Sequence, residues 1–114
     1  MTRKELLAYS ERVADVFKAL ADPTRRAILD ELAEHDGATQ FELCSALIMR
    51  HEIAITRQAT AQHLAVLQDA GLVSIRRDGR TKRHFFDPAP IRRALVRWTP
   101  PDPPPDPGGP EPPC

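Results

Sequence analysis

Most features that would mark an enzyme, a secreted scaffold or a membrane protein are missing from this chain. Its 114 residues hold two cysteines, Cys44 and the terminal Cys114. Two so oddly placed make no disulfide framework and fit a reducing compartment. No apolar run approaches the roughly eighteen residues that a membrane helix needs, and no charged-then-apolar leader opens the sequence. A cytoplasmic protein without membrane contact is therefore expected. There is no glycine-rich phosphate loop, nucleophile elbow or zinc-protease motif, and His35, His51, His63 and His84 are scattered. Nothing here points to an enzyme.

Net charge is absent too, but its distribution is uneven. Residues 1–55 carry seven Lys/Arg and ten Asp/Glu, net −3; residues 56–98 carry nine and three, net +6; residues 99–114 carry none and three, net −3. Basic charge thus gathers in one stretch, the footprint expected for contact with a phosphate backbone. The 41% hydrophobic content allows one small domain. A chain of this length buries only about 60–65% of its unfolded surface, so a partner surface would help it.

What is present is organised around Ile55 to Phe86, ITRQATAQHLAVLQDAGLVSIRRDGRTKRHFF. Thr56 suits a helix N-cap, Arg57, Gln58 and Gln62 share one face, and Ala59, Leu64, Leu67 and Ala70 supply apolar contacts. Gly71 can close that helix in the left-handed conformation. Two β-prone runs then flank Asp78-Gly79, a dipeptide suited to a two-residue hairpin turn. With Asp78 and Gly79 as the loop, Arg77 would face Arg80 and Arg76 would face Thr81. Like charges opposed on a ribbon destabilise it, and a polyanion beside them would relieve the repulsion.

Three runs, FKALADPTRRAILDEL (Phe17 to Leu32), TRQATAQHLAVLQDAGLV (Thr56 to Val73) and RRDGRTKRHFFDPAPI (Arg76 to Ile91), carry a family likeness. In this order the chain resembles the arsenic-repressor-like (ArsR) family of bacterial winged helix-turn-helix transcription regulators. The resemblance implies a mainly α fold with a small β-hairpin, about five helices plus a two-stranded wing over residues 1–98. It implies a homodimer on double-stranded DNA, repressing near its own promoter until an unspecified effector releases it. Terminal helices of such proteins build the dimer interface, here Leu6, Leu7, Val13, Ile91, Leu95 and Trp98.

The rest of the chain fits around this unit. Leu6, Leu7, Val13, Val16, Phe17 and Leu20 recur at helical spacing in a first helix. Asp22-Pro23 is a cap followed by a first-turn proline, starting a second helix to about His35 with Ile28, Leu29 and Leu32 inward and Gly37 as its stop. Arg25 and Arg26 in that first turn oppose the macrodipole, so either the face is solvated or a phosphate lies near. Thr39, with Glu42 three residues on, suits the start of a third helix with which Phe41, Leu43, Leu47 and Ile48 are consistent. The stretch Met49 to Ile55 is longer than the family's turn, lengthening either the third helix or the turn. Asp87-Pro88 repeats the cap-then-proline start for a final helix. Residues 99–114, with nine prolines, read as a disordered acidic tail.

Chemistry assigns the site. In a major groove, Thr56 would meet a phosphate, Arg57 a guanine, Gln58 and Gln62 adenines and Ala61 a thymine methyl, with Thr60 and His63 beside them. Arg76, Arg77, Arg80, Lys82 and Arg83 would reach a neighbouring phosphate strand. No cofactor and no metal are expected. Glu42-Leu43-Cys44 matches the start of the family's cysteine motif, but Ala46 replaces its second thiolate. His51, seven residues beyond Cys44, would lie roughly 10 Å along a continuous helix, too far to share an ion. Two other readings stay open: a winged helix that docks proteins without reading bases, and a thiol or metal sensor using Cys44.

Overall fold

Four helices begin where a hydroxyl or carboxylate side chain takes up an amide that the first helical turn leaves without a partner. The computed structural model describes residues 2–96 and 98, so the proline-rich tail lies outside the described residues. Thr2 caps α1 (Arg3–Leu20) in a reciprocal box with Glu5. Asp22 caps α2 (Pro23–Glu34), with Pro23 in the first turn. Thr39 caps α3 (Gln40–Met49) and Thr56 caps α4 (Arg57–Asp69). The hairpin β1 (Val73–Asp78) and β2 (Thr81–Phe86) follows, then α5 (Ala89–Leu95). No helix among the described residues is long and apolar enough to cross a membrane.

One apolar cluster joins these elements. Ile28 and Leu32 of α2, Leu43 and Leu47 of α3, Leu64 and Leu67 of α4, and Leu72 before β1 are each fully buried. Burying a side chain of this kind contributes about 1.5–3 kcal/mol, and together these residues pin α2, α3 and α4 into one three-helix layer. Gly71, at φ +77°, turns the chain from α4 into β1. Phe41 and Ile48 of α3 are 66% and 49% exposed.

Of the two arginines of the α2 first turn, Arg26 is exposed, as on a solvated face, and Arg25 is half-buried. Arg25 donates through Nε to the carbonyl of Ala19 at 2.7 Å and through Nη2 to that of Lys18 at 3.0 Å. Arg26 donates to the carbonyl of Leu20 at 2.7 Å. Both cap the last turn of α1, where a cation complements the macrodipole. Their unfavourable position on α2 is the favourable one on its neighbour.

Two other expectations are corrected and one open alternative is decided. The hairpin pairs Asp78 with Thr81, Arg77 with Lys82 and Arg76 with Arg83, so its loop is Gly79-Arg80. Gly79, at φ +66°, takes the first loop position, which glycine fills without a Cβ penalty. The long connection before α4 belongs to the turn: α3 ends at Met49, Glu52 sits at φ +55°, and the Ile53 amide returns to the Leu47 carbonyl at 2.9 Å. Pro88, not Asp87, holds the cap position of α5, although the Asp87 carboxylate accepts the Ala89 amide at 3.0 Å.

The hairpin base is tied to the body on its other edge. His84 exchanges backbone bonds with Gly37 and Ala38 at 2.8 and 2.9 Å, and its buried ring nitrogen lies 3.0 Å from the Ala38 carbonyl. β2 is thereby held from both sides.

Asp22 gives the fold a measurable pH signature. Burial acts to raise its pKa, but the amides of Arg25 and Thr24, with His63 and Arg25 nearby, outweigh that and hold it below 3.8. A depressed carboxylate contributes stability above its unfolded pKa and loses it as pH falls through the folded value. Asp22→Ala should therefore cost about 1 kcal/mol near neutral pH. In denaturant titrations that difference should hold down to about pH 5 and shrink below about pH 4.

Candidate nucleic-acid interface

Helix α4 divides its residues between two tasks. Thr60, Leu64 and Leu67 form its buried row, and Thr56, Arg57, Gln58, Ala61 and Gln62 form the exposed one. Thr60 is fully buried, and its hydroxyl donates to the Thr56 carbonyl at 2.9 Å. It packs the helix and takes no place on the exposed row. His63 is half-buried, its Nδ1 lying 3.3 Å from Arg25 Nη1, so it faces the α1–α2 junction. The sequence missed the burial of Thr60 because a polar residue type does not say which side of a helix it occupies.

The start of α4 is well defined. Thr56 accepts the Ala59 amide at 3.1 Å through its hydroxyl oxygen, leaving the hydroxyl hydrogen free to donate outward. Gln40 Nε2 donates to the Arg57 carbonyl at 3.0 Å, tying the α3 N-terminus to the first turn. Between the α3 start, α4 and the hairpin lies an open crevice of about 430 Å³, with Phe41, Ala61, Gln68 and Lys82 in its walls.

Beside α4 stands the hairpin tip. Arg76, Arg77, Arg80 and Lys82 are exposed, and none of them is in an ion pair among the described residues. Arg76 lies over the Phe85 ring, 5.0 Å from its centroid, which steadies the guanidinium and leaves its charge in place. Arg83 differs from the other four. It is half-buried and donates to the Gly37 carbonyl at 3.2 Å and the Asp78 carboxylate at 3.4 Å. Its main contacts are within the protein. Like charges still oppose each other, now as Arg76 with Arg83 and Arg77 with Lys82.

Of the six apolar residues expected at a dimer interface, five lie on α1 and α5, whereas α5 ends at Leu95 and Trp98 lies beyond it. Leu6, Leu7, Leu95 and Trp98 are 55, 57, 38 and 63% exposed, whereas Val13 and Ile91 are half-buried, Ile91 against the core. Phe17, also exposed, approaches Trp98 with ring centroids 6.3 Å apart. The Tyr9 hydroxyl reaches the Arg93 carbonyl at 3.4 Å, joining α1 to α5. Cys44 is buried in α3, and no group of three or more His, Cys, Asp or Glu among the described residues is placed to hold a metal ion.

Comparison with known proteins agrees with this geometry. A helix-turn-helix domain model matches residues 20–76. The HTH-type transcriptional regulator YuzN of Bacillus subtilis is 48% identical over 83 residues, 73% of this chain and 90% of the relative. An ArsR-like transcriptional regulator from Rhodococcus sp. RHA1 superposes with a TM-score of 0.67 at 32% identity, over 85% of this chain and 79% of that one. The homodimeric winged helix-turn-helix DNA-binding domain of Mb0332 from Mycobacterium bovis, a possible ArsR-family regulator, gives 0.66 at 26% identity over 85% and 83%. A capped helix with an exposed polar row, a cationic hairpin beside it and these likenesses lead to one conclusion: the chain belongs to the ArsR-like winged helix-turn-helix transcriptional regulators.

Proposed function

We propose that the protein is a homodimeric repressor that reads an imperfectly palindromic operator near its own promoter. In this reading α4 lies in the major groove. Arg57 takes a guanine, Gln58 and Gln62 take adenines, Ala61 meets a thymine methyl and Thr56 a phosphate. Arg76, Arg77, Arg80 and Lys82 lie along the adjoining backbone, and two half-sites sit about 34 Å apart. The observation that carries the reading is the exposed row Arg57, Gln58, Ala61 and Gln62 beside four cations with no ion-pair partner among the described residues.

The exposed apolar side chains of Leu6, Leu7 and Phe17 on α1, Leu95 at the end of α5 and Trp98 just beyond it support the dimer. Exposed apolar patches on a small domain mark association surfaces, and the superposable Mb0332 domain is itself homodimeric.

Four outcomes are expected. A duplex enriched by the protein from a random-sequence pool should bind at least a hundredfold tighter than its scrambled version by fluorescence anisotropy, about 2.7 kcal/mol. Arg57→Ala should remove about 1–3 kcal/mol of that preference; failure to enrich any sequence would overturn the base-reading role. Replacing Arg77 and Lys82 together by alanine should weaken binding to all duplexes alike and reduce the salt slope by about 0.9 for each phosphate no longer neutralised. Leu7→Glu should shift the dimer towards monomer by at least tenfold in sedimentation equilibrium, with helical circular dichroism retained; an unchanged dimer would move the interface elsewhere.

A further inference from the structure

Glu31 of α2 is 5% exposed, and a buried carboxylate needs partners for both oxygens. It finds them in the connection between α3 and α4. Arg50 Nη1 donates to one oxygen at 3.0 Å, and His51 Nε2 lies 3.0 Å from the other. These two residues open the stretch that is long for the family. The same stretch turns at Glu52, returns the Ile53 amide to Leu47, and packs Ile53 and Ile55 against the core. It then delivers the chain to Thr56, the cap of α4.

This connection matters because α4 is anchored unevenly. Its buried contacts begin at Thr60 and strengthen at Leu64 and Leu67, whereas Thr56, Arg57 and Gln58 in its opening turn are exposed. The end that would meet bases is the end the core holds least. Among the described residues its direct tie is the Gln40 bond to the Arg57 carbonyl, and the remaining restraint arrives through the connection. A recognition group must be held to about 0.5 Å and 10–20° to be selective.

We infer that Glu31 is a positioning residue for base readout: by clamping Arg50 and His51 it fixes where α4 starts and so how Arg57 and Gln58 are aimed. The inference rests on the reading of α4 as the base-reading helix. The carboxylate touches no DNA and acts through the connection alone. It also explains why a buried charge occupies a position that an apolar side chain would fill without desolvation cost.

That last point separates positioning from simple structural support. Removing one member of a buried ion pair is costly only when it strands a buried charge; here the buried member is Glu31 itself, and Arg50 and His51, with side chains 57% and 27% exposed, can turn to water once released. Glu31→Met should therefore melt at or above the wild-type temperature. Its preference for the enriched duplex over the scrambled one should nonetheless fall at least tenfold, with affinity for the scrambled duplex within twofold of wild type. Arg50→Ala with His51→Ala leaves the carboxylate stranded and should lose both stability and preference. Adding Glu31→Met to that pair should restore the melting temperature without restoring the preference.

If wild type prefers its enriched duplex and Glu31→Met keeps that preference within twofold, the clamp has no part in readout and the inference falls alone. If wild type shows no preference, the base-reading role of α4 falls and the inference falls with it.

Discussion

The fold depends on α4 serving the core and the surface at once. Its inner row, Thr60, Leu64 and Leu67, meets Ile28, Leu32, Leu43 and Leu47 across a cluster with almost no exposure. Rotation by one residue, about 100° on a helix of 3.6 residues per turn, would carry that row out of the core and turn part of the polar row towards it. The apolar contacts of α2 and α3 thus decide which side chains of α4 face out. Thr60 illustrates the precision of this packing. A polar residue sits at the most crowded position because its hydroxyl can return to the Thr56 carbonyl and needs nothing else.

Around that core, polar groups settle how the helices meet. Arg25 and Arg26 close the end of α1 from the first turn of α2, which removes the need for a separate C-terminal cap between two helices that almost touch in sequence. Arg25 also reaches His63, so the α1–α2 junction and α4 share one guanidinium. Glu31 does similar work at the opposite end of α2. In both cases one buried or half-buried charged group joins segments that have no backbone ladder between them.

The parts legible in the sequence were those fixed by neighbours in the chain. Asp22-Pro23, Thr39, Thr56 and Gly71 act within one helical turn of themselves, and each marked its boundary to within a residue. The paired β runs and the exposed glutamines of α4 were readable for the same reason. Partners distant in sequence were not. Arg25 bonds carbonyls six and seven residues back across a helix break, and Glu31 meets residues 19 and 20 positions away. The hairpin slipped by one residue because Asp78-Gly79 and Gly79-Arg80 are both plausible loops; the observed pairing puts glycine first and carries Asp78 into β1. The base-reading roles of Arg57, Gln58, Ala61 and Gln62 were legible as a pattern and await the binding measurements.

The two ends of the hairpin have separate duties. At its base, Gly37, Ala38 and His84 knit β2 to the body, and a side chain at Gly37 would be strained at φ +86°. At its tip, the residues from Arg77 to Lys82 are exposed, and among the described residues only Asp78 of these is in an ion pair, the one with Arg83. Charge there can be added, removed or reversed over many generations with little penalty to folding. On the proposed reading, in which the tip lies along a DNA backbone, selection can treat it as an affinity dial, retuning how strongly the protein holds a genome to match its copy number while the fold stays constant.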